Sequence, residues 1–155
     1  MSPRLIFVNA SQVVTCAGPA RARRGPEMSK LESRTESAVV VDGEKIAAVG
    51  PERSLRGEYP DATEIDCRRG VLTPGLVDSH THAIFGRARA DEQEMRATGL
   101  DSMQIAARGG GIHSSVRDLR ARGEEELFAL ARARLERLAS FGITTVEVKS
   151  GYGLT

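Results

Sequence analysis

A chain of 155 residues with 40% hydrophobic and 28% charged residues is long enough to bury a core and too apolar to be a disordered segment. Its 22 basic and 21 acidic residues leave a formal charge of +1, which gives no electrostatic reason to expect nucleic acid or an anionic membrane as a partner. Cys16 and Cys67 stand in no redox or metal spacing, and the apolar run in MSPRLIFVNA is too short for a signal peptide or a membrane span, so a cytoplasmic protein without a disulfide framework is expected.

In chain order, Leu5 to Val8 reads as a short strand and Gln12 to Thr15 as a second candidate. Residues 17–36 are rich in Arg, Gly, Pro, Ser and Glu with no apolar period, the composition of a solvated loop. Ala38 to Val41 and Lys45 to Val49 flank Asp42-Gly43, a hairpin signal because both turn residues tolerate positive φ. Thr63, Ile65 and Cys67 alternate with Glu64 and Asp66, which predicts a half-buried strand. Residues 1–70 therefore read as part of a small antiparallel, sandwich-like β domain.

The character changes at Val71. An apolar stretch breaks at Pro74-Gly75, and Leu76-Val77 starts a strand running into Asp78-Ser79-His80-Thr81-His82. Asp101 and Gln104 form a capping pair for a short helix through Ala107, stopped by Gly109, Gly110 and Gly111. Glu124, Glu125 and Glu126 favour the positive end of a helix dipole, and behind them Leu127, Ala131, Leu135 and Leu138 form one apolar stripe. Gly142 ends that helix before the β-branched run Ile143 to Val148. Strand, helix and strand with a long crossover is the grammar of a parallel sheet, so residues 71–155 read as α/β.

His80-Thr81-His82 is the sharpest local signal for chemistry. Residues i and i+2 of a strand project to one face, so two imidazoles can reach one metal from the strand's C-terminal end. Imidazole suits zinc, iron, nickel and copper alike, and the pair alone does not name the ion. Two of the chain's three histidines are in this pair, and it follows an apolar strand, where parallel barrels place their catalytic groups. The third, His113, reads as a loop histidine. Gly109 to Gly111 has no phosphate-binding pattern around it and reads as a flexible active-site loop.

The run from Thr73 to His82 (TPGLVDSHTH) resembles the first barrel strand of the amidohydrolase superfamily. Phe85, Arg89, Glu92 to Arg96 (EQEMR), Arg108 to Ile112 (RGGGI) and Thr144 to Leu154 (TTVEVKSGYGL) resemble the imidazolonepropionase family in order and spacing. From Val71 onward the resemblance is specific; in the N-terminal β unit it is generic. It implies an incomplete TIM barrel, with the first two βα units present and a small β domain before them. It also implies one divalent or trivalent metal ion, zinc or iron, with His80 and His82 as its first two ligands. Arg89 and Tyr152 match substrate-binding positions, and a planar guanidinium suits a propionate carboxylate. The implied reaction is hydrolysis of the cyclic amide-like C–N bond of 4-imidazolone-5-propanoate to N-formimidoyl-L-glutamate, in histidine degradation.

The sequence departs from the family pattern at Gly86-Arg87-Ala88-Arg89, which adds a basic residue beside the pocket, and at Val116 to Arg120. The family's later ligands, a histidine and an aspartate, have no counterpart before Thr155, and neither has a general base. A barrel of eight strands takes about 250 residues. The expectation is therefore a fragment, inactive alone, of an enzyme with a small-molecule substrate and no nucleic-acid or membrane partner, a homodimer at full length being compatible. Two rivals stay open: another enzyme with the HxH pair, such as an aromatic deaminase or a dihydroorotase, and a non-catalytic fragment.

Overall fold

A computed structural model of the protein describes residues 3–153, and these fall into two compact units that divide between Pro74 and Gly75. Met1 and Ser2 of the opening apolar run, and Leu154 of the TTVEVKSGYGL block, lie outside the described residues.

The first unit is built on β1 (Leu5–Val8), β2 (Gln12–Val14), β3 (Ser33–Arg34), β4 (Ser37–Asp42), β5 (Lys45–Pro51), β6 (Thr63–Asp66) and β7 (Val71–Leu72), with helix α1 (Glu52–Glu58) between β5 and β6. Four strands form a sheet in the order β5-β4-β1-β6, and three form another in the order β3-β2-β7. The β4–β5 hairpin forms, but its turn falls on Gly43-Glu44, one residue beyond the expected Asp42-Gly43, with Asp42 paired to Lys45. Gly43 has φ +60°, a conformation its missing Cβ permits. Period-two alternation sets the core. Ile6 and Val8 share one face of β1, and the register opposite Val40 and beyond brings Ala38 and Val40 onto the same face. Leu55 of α1 closes over them. Full burial of side chains of this size is worth about 1.5–3 kcal/mol each.

The unit is mixed rather than antiparallel: β6 runs parallel to β1, and β7 parallel to β2. The reason is α1, which the sequence reading missed; it carries the chain from β5 back across the sheet, the crossover that parallel strands need. Because α1 packs over β4 and β5, edge strand β6 is exposed along all four residues, not half-buried. The 17–36 loop is mostly exposed as expected, but contains a 3-10 helix at Gly25–Ser29 and the strand β3.

In the second unit, β8 (Leu76–Thr81) and β9 (Ile143–Val148) pair in parallel, as the βαβ reading required. Four helices lie between them in sequence: α2 (Ala90–Ala97), α3 (Ser102–Ala107), α4 (Gly111–Arg120) and α5 (Glu124–Ser140). The Asp101–Gln104 capping box of α3 is complete, with Gln104 N donating to Asp101 Oδ1 at 2.8 Å and the reciprocal bond at 2.9 Å. Gly109 to Gly111 is a junction between two helices and not an extended loop. Gly109 (φ +84°) donates to Ala106 O and Gly110 to Ile105 O, a Schellman stop, and Gly111 is already the first residue of α4. His113 accordingly lies exposed on α4, not in a loop. The α5 stripe is shifted from the expected one: Leu135 is 37% exposed, and Arg134 takes the inward position between Ala131 and Leu138. Among the described residues no helix is long and apolar enough to cross a membrane.

Candidate active site

His80 is the penultimate residue of β8 and His82 follows its end, so strand alternation sends both rings one way. The ring centroids are 5.3 Å apart with planes at 60°. His80 is exposed, and its backbone N–H donates to Asp78 Oδ1 at 3.1 Å. His82 is half-buried, and its Nδ1 is buried with no hydrogen-bond partner among the described residues. Such an orphaned polar atom costs about 1–3 kcal/mol unless something occupies its lone pair or takes its proton. Two adjacent imidazoles, one with an unused buried nitrogen, fit a metal ion as part of its ligand set. Among the described residues no third histidine, cysteine or carboxylate joins them.

The strand end is fixed by its neighbour. Thr81 donates its hydroxyl to Glu147 O at 2.9 Å, and Lys149 N donates to Thr81 O at 2.8 Å, so β9 delivers the 150–152 turn beside His82. Gly151 lies flat against the imidazole: a Cβ there would stand 2.4 Å from His82 Cε1. Tyr152 follows, its ring centroid 4.9 Å from that of His82 and 6.2 Å from that of Phe85, the latter edge-on.

Tyr152 and Arg89 line one cavity of about 340 Å³, together with Phe85, Arg87, Glu92 and Arg96. Three guanidinium groups line it against one carboxylate, and with Arg87 also paired to Asp91 at 3.7 Å the lining keeps a net positive charge that attracts an anion. Arg89 precedes α2 and pairs with Glu92 at 3.3 Å. His80 and His82 do not line this cavity; they line another of about 360 Å³ with Asp78 and Arg134. Of the four residues singled out in the sequence, Arg89 and Tyr152 thus share a cavity, and the Tyr152–His82 contact links it to the histidine pair.

Two residues that position this site went unrecognised in the sequence. Glu92, 6% exposed, accepts the N–H of Gly111 at 2.7 Å while pairing with Arg89, tying the arginine to the start of α4. A side chain at Gly110 would meet the same carboxylate at 2.9 Å, so the glycines allow a close approach. Arg134 donates to three carbonyls of one loop, Ala83 O at 3.0 Å, Phe85 O at 2.5 Å and Gly86 O at 2.6 Å, and its guanidinium carbon lies 3.5 Å from the Phe85 ring centroid. Burial, and then the charge of Arg122, lower its pKa from the ordinary arginine value. The available signal for Arg134 was an arginine at the i+3 spacing of an apolar stripe. Nearby, Arg122 and then the Arg87 N–H hold the Asp118 carboxyl below the usual carboxylate range.

Comparison with known proteins bears on both units. The chain is 45% identical over 150 residues to the imidazolonepropionase of Chloroflexus aggregans, covering 97% of this chain and 35% of the relative. It is 49% identical over 146 residues to that of Brucella suis, covering 94% of this chain and 36% of the relative. In sequence, the chain is similar to imidazolonepropionases along nearly its whole length. A family model described as the bacterial imidazolonepropionase-like composite domain matches residues 38–62, which form β4, β5 and α1. The likeness to imidazolonepropionases therefore includes the N-terminal β unit, where the motifs alone were generic. The chain spans about a third of the length of these curated relatives. Among solved structures, the ochratoxinase of A. niger superposes with a TM-score of 0.54 at 22% identity, covering 97% of this chain and 26% of that one, a likeness of fold alone.

Proposed function

We propose that this chain supplies the first two metal ligands and the carboxylate grip of an imidazolonepropionase, as the opening third of a barrel enzyme. β8 and β9 are read as the first two strands of that barrel, which puts His80 and His82 at the C-terminal end of the first, the end where barrels carry their chemistry. The observation that carries the reading is the 45–49% identity running across both units, joined to the contact of Tyr152 with His82.

His80 and His82 would hold the ion, zinc or iron. When bound, such an ion polarises a ring carbonyl and lowers the pKa of water to near neutrality. The chain's own residues orient the substrate. Arg89 grips the propionate carboxylate through its planar fork, and the Arg87 and Arg96 charges hold the cavity positive. Tyr152 presents its ring face to the flat heterocycle and its hydroxyl to a ring heteroatom. In the net reaction the water oxygen bonds to the ring carbonyl carbon, the adjacent C–N bond breaks, and the leaving nitrogen takes a proton. The product is the ring-opened N-formimidoyl-L-glutamate.

The test is turnover by the full-length protein carrying this segment. Consumption of imidazolone propionate is expected, lost on verified metal removal and restored by added zinc or iron. Undiminished turnover by metal-free protein would sink the metal assignment. Hydrolysis of dihydroorotate or deamination of guanine, with imidazolone propionate untouched, would sink the substrate.

A further inference from the structure

We propose that Arg134, on α5, is a positioning residue that holds the segment between His82 and Arg89 in register, so that metal binding and substrate grip depend on one helix side chain. This rests on the functional reading above. The segment has no regular structure, yet both functional groups hang from it. Its carbonyls at Ala83, Phe85 and Gly86 receive no backbone donor among the described residues; Arg134 serves all three, Nη1 two of them and Nη2 the third. Its guanidinium also covers the Phe85 ring at 3.5 Å, and Phe85 in turn meets Tyr152 edge-on.

An arginine that only solubilises a helix lays its stem on apolar surface and leaves its head in water or on a carboxylate. Arg134 does neither: it forms no ion pair among the described residues, and its charge is spent on neutral carbonyls in a half-buried position. The fork is planar and rigid, so it fixes the three oxygens relative to one another, which a lysine's single ammonium does not reproduce. Partners hydrogen-bonded directly to metal ligands change metal affinity by about 10–100-fold when removed; Arg134 acts one step further out, on the segment that carries His82, so its effect belongs at the lower end of that range.

The experiment compares Arg134→Met and Arg134→Lys with wild type in the full-length protein. Zinc affinity is read by chelator competition, KM and kcat with imidazolone propionate, and folding by thermal melting. Arg134→Met is expected to weaken zinc binding and to raise KM, each by about tenfold or more. Arg134→Lys should fall between it and wild type. Wild-type zinc affinity and KM in both variants, with only a lower melting temperature, would reduce Arg134 to a structural residue. If Arg134→Met does not fold, Arg134→Lys decides by the same readings. A wild-type protein that binds no zinc and leaves imidazolone propionate intact would overturn the functional reading itself, before any variant is compared.

Discussion

Gly151→Ala offers a sharp test of whether the 150–152 turn is built against His82. The added Cβ would stand 2.4 Å from His82 Cε1 and 2.8 Å from Nδ1. Carbon atoms in ordinary contact are about 3.5–4.0 Å apart, so the overlap exceeds about 1 Å. Gly151 is not in the left-handed region, so the effect is steric rather than conformational. Inserting one methyl into a packed site costs about 1–3 kcal/mol. If the imidazole absorbs that strain, zinc affinity falls by roughly 5- to 150-fold, at 1.4 kcal/mol per factor of ten. Gly153→Ala is the control: among the described residues its Cβ would meet nothing closer than Ser150 O at 3.8 Å, and affinity should hold. The assay is chelator competition for zinc on full-length protein, with melting curves to check the fold. Unchanged zinc affinity in Gly151→Ala would show that the turn yields instead of the ring, and that it does not fix His82.

The remaining predictions concern single side chains. If His80 and His82 share one ion as proposed, His80→Ala and His82→Ala should each remove most of the bound metal; unchanged stoichiometry by elemental analysis in both would dismiss the pair as ligands. Arg89→Lys keeps the charge and loses the fork, so KM should rise more than kcat falls. Kinetics unaltered in both Arg89→Lys and Arg89→Ala would free Arg89 from any role at the cavity. The depressed pKa of Asp118 means that its contribution to stability is present above the unfolded aspartate value, about 3.9, and is lost as pH falls through the folded value. The melting-temperature gap between wild type and Asp118→Asn should therefore be open near neutrality and close in acid, and a gap constant through the acid range would contradict the assignment.

Period-two and capping signals were legible from the sequence because they are local. His80 and His82 share a strand face by backbone geometry alone, and the Asp101–Gln104 box needs only four residues. The helices α1 and α2, ERSLRGE and ADEQEMRA, are short and mostly polar, and carry too few apolar residues to show a stripe. Missing α1 hid the crossover, and with it the parallel pairing of β6 to β1. In α4 the three glycines looked like a break, yet only Gly109 stops a helix; Gly111 begins the next. The α5 stripe was legible but off by one residue. Leu135 and Arg134 lie on nearly the same arc, and an arginine's apolar stem can take a leucine's place when carbonyls await its head. The closeness of Tyr152 to His82 is set by the pairing of β8 with β9, across about 70 residues of chain, and no local pattern encodes it.

The central claim is that one site joins a metal on His80 and His82 to a carboxylate grip at Arg89 and Tyr152. A crystal structure of the full-length protein with a bound imidazolone propionate analogue, with the metal located by anomalous scattering, tests it most directly. The account predicts the ion on both imidazoles, the ligand carboxylate on the Arg89 guanidinium, and the Tyr152 hydroxyl or ring on the heterocycle. An ion held without either histidine, or a ligand whose carboxylate is bound elsewhere while Arg89 faces solvent, would contradict it.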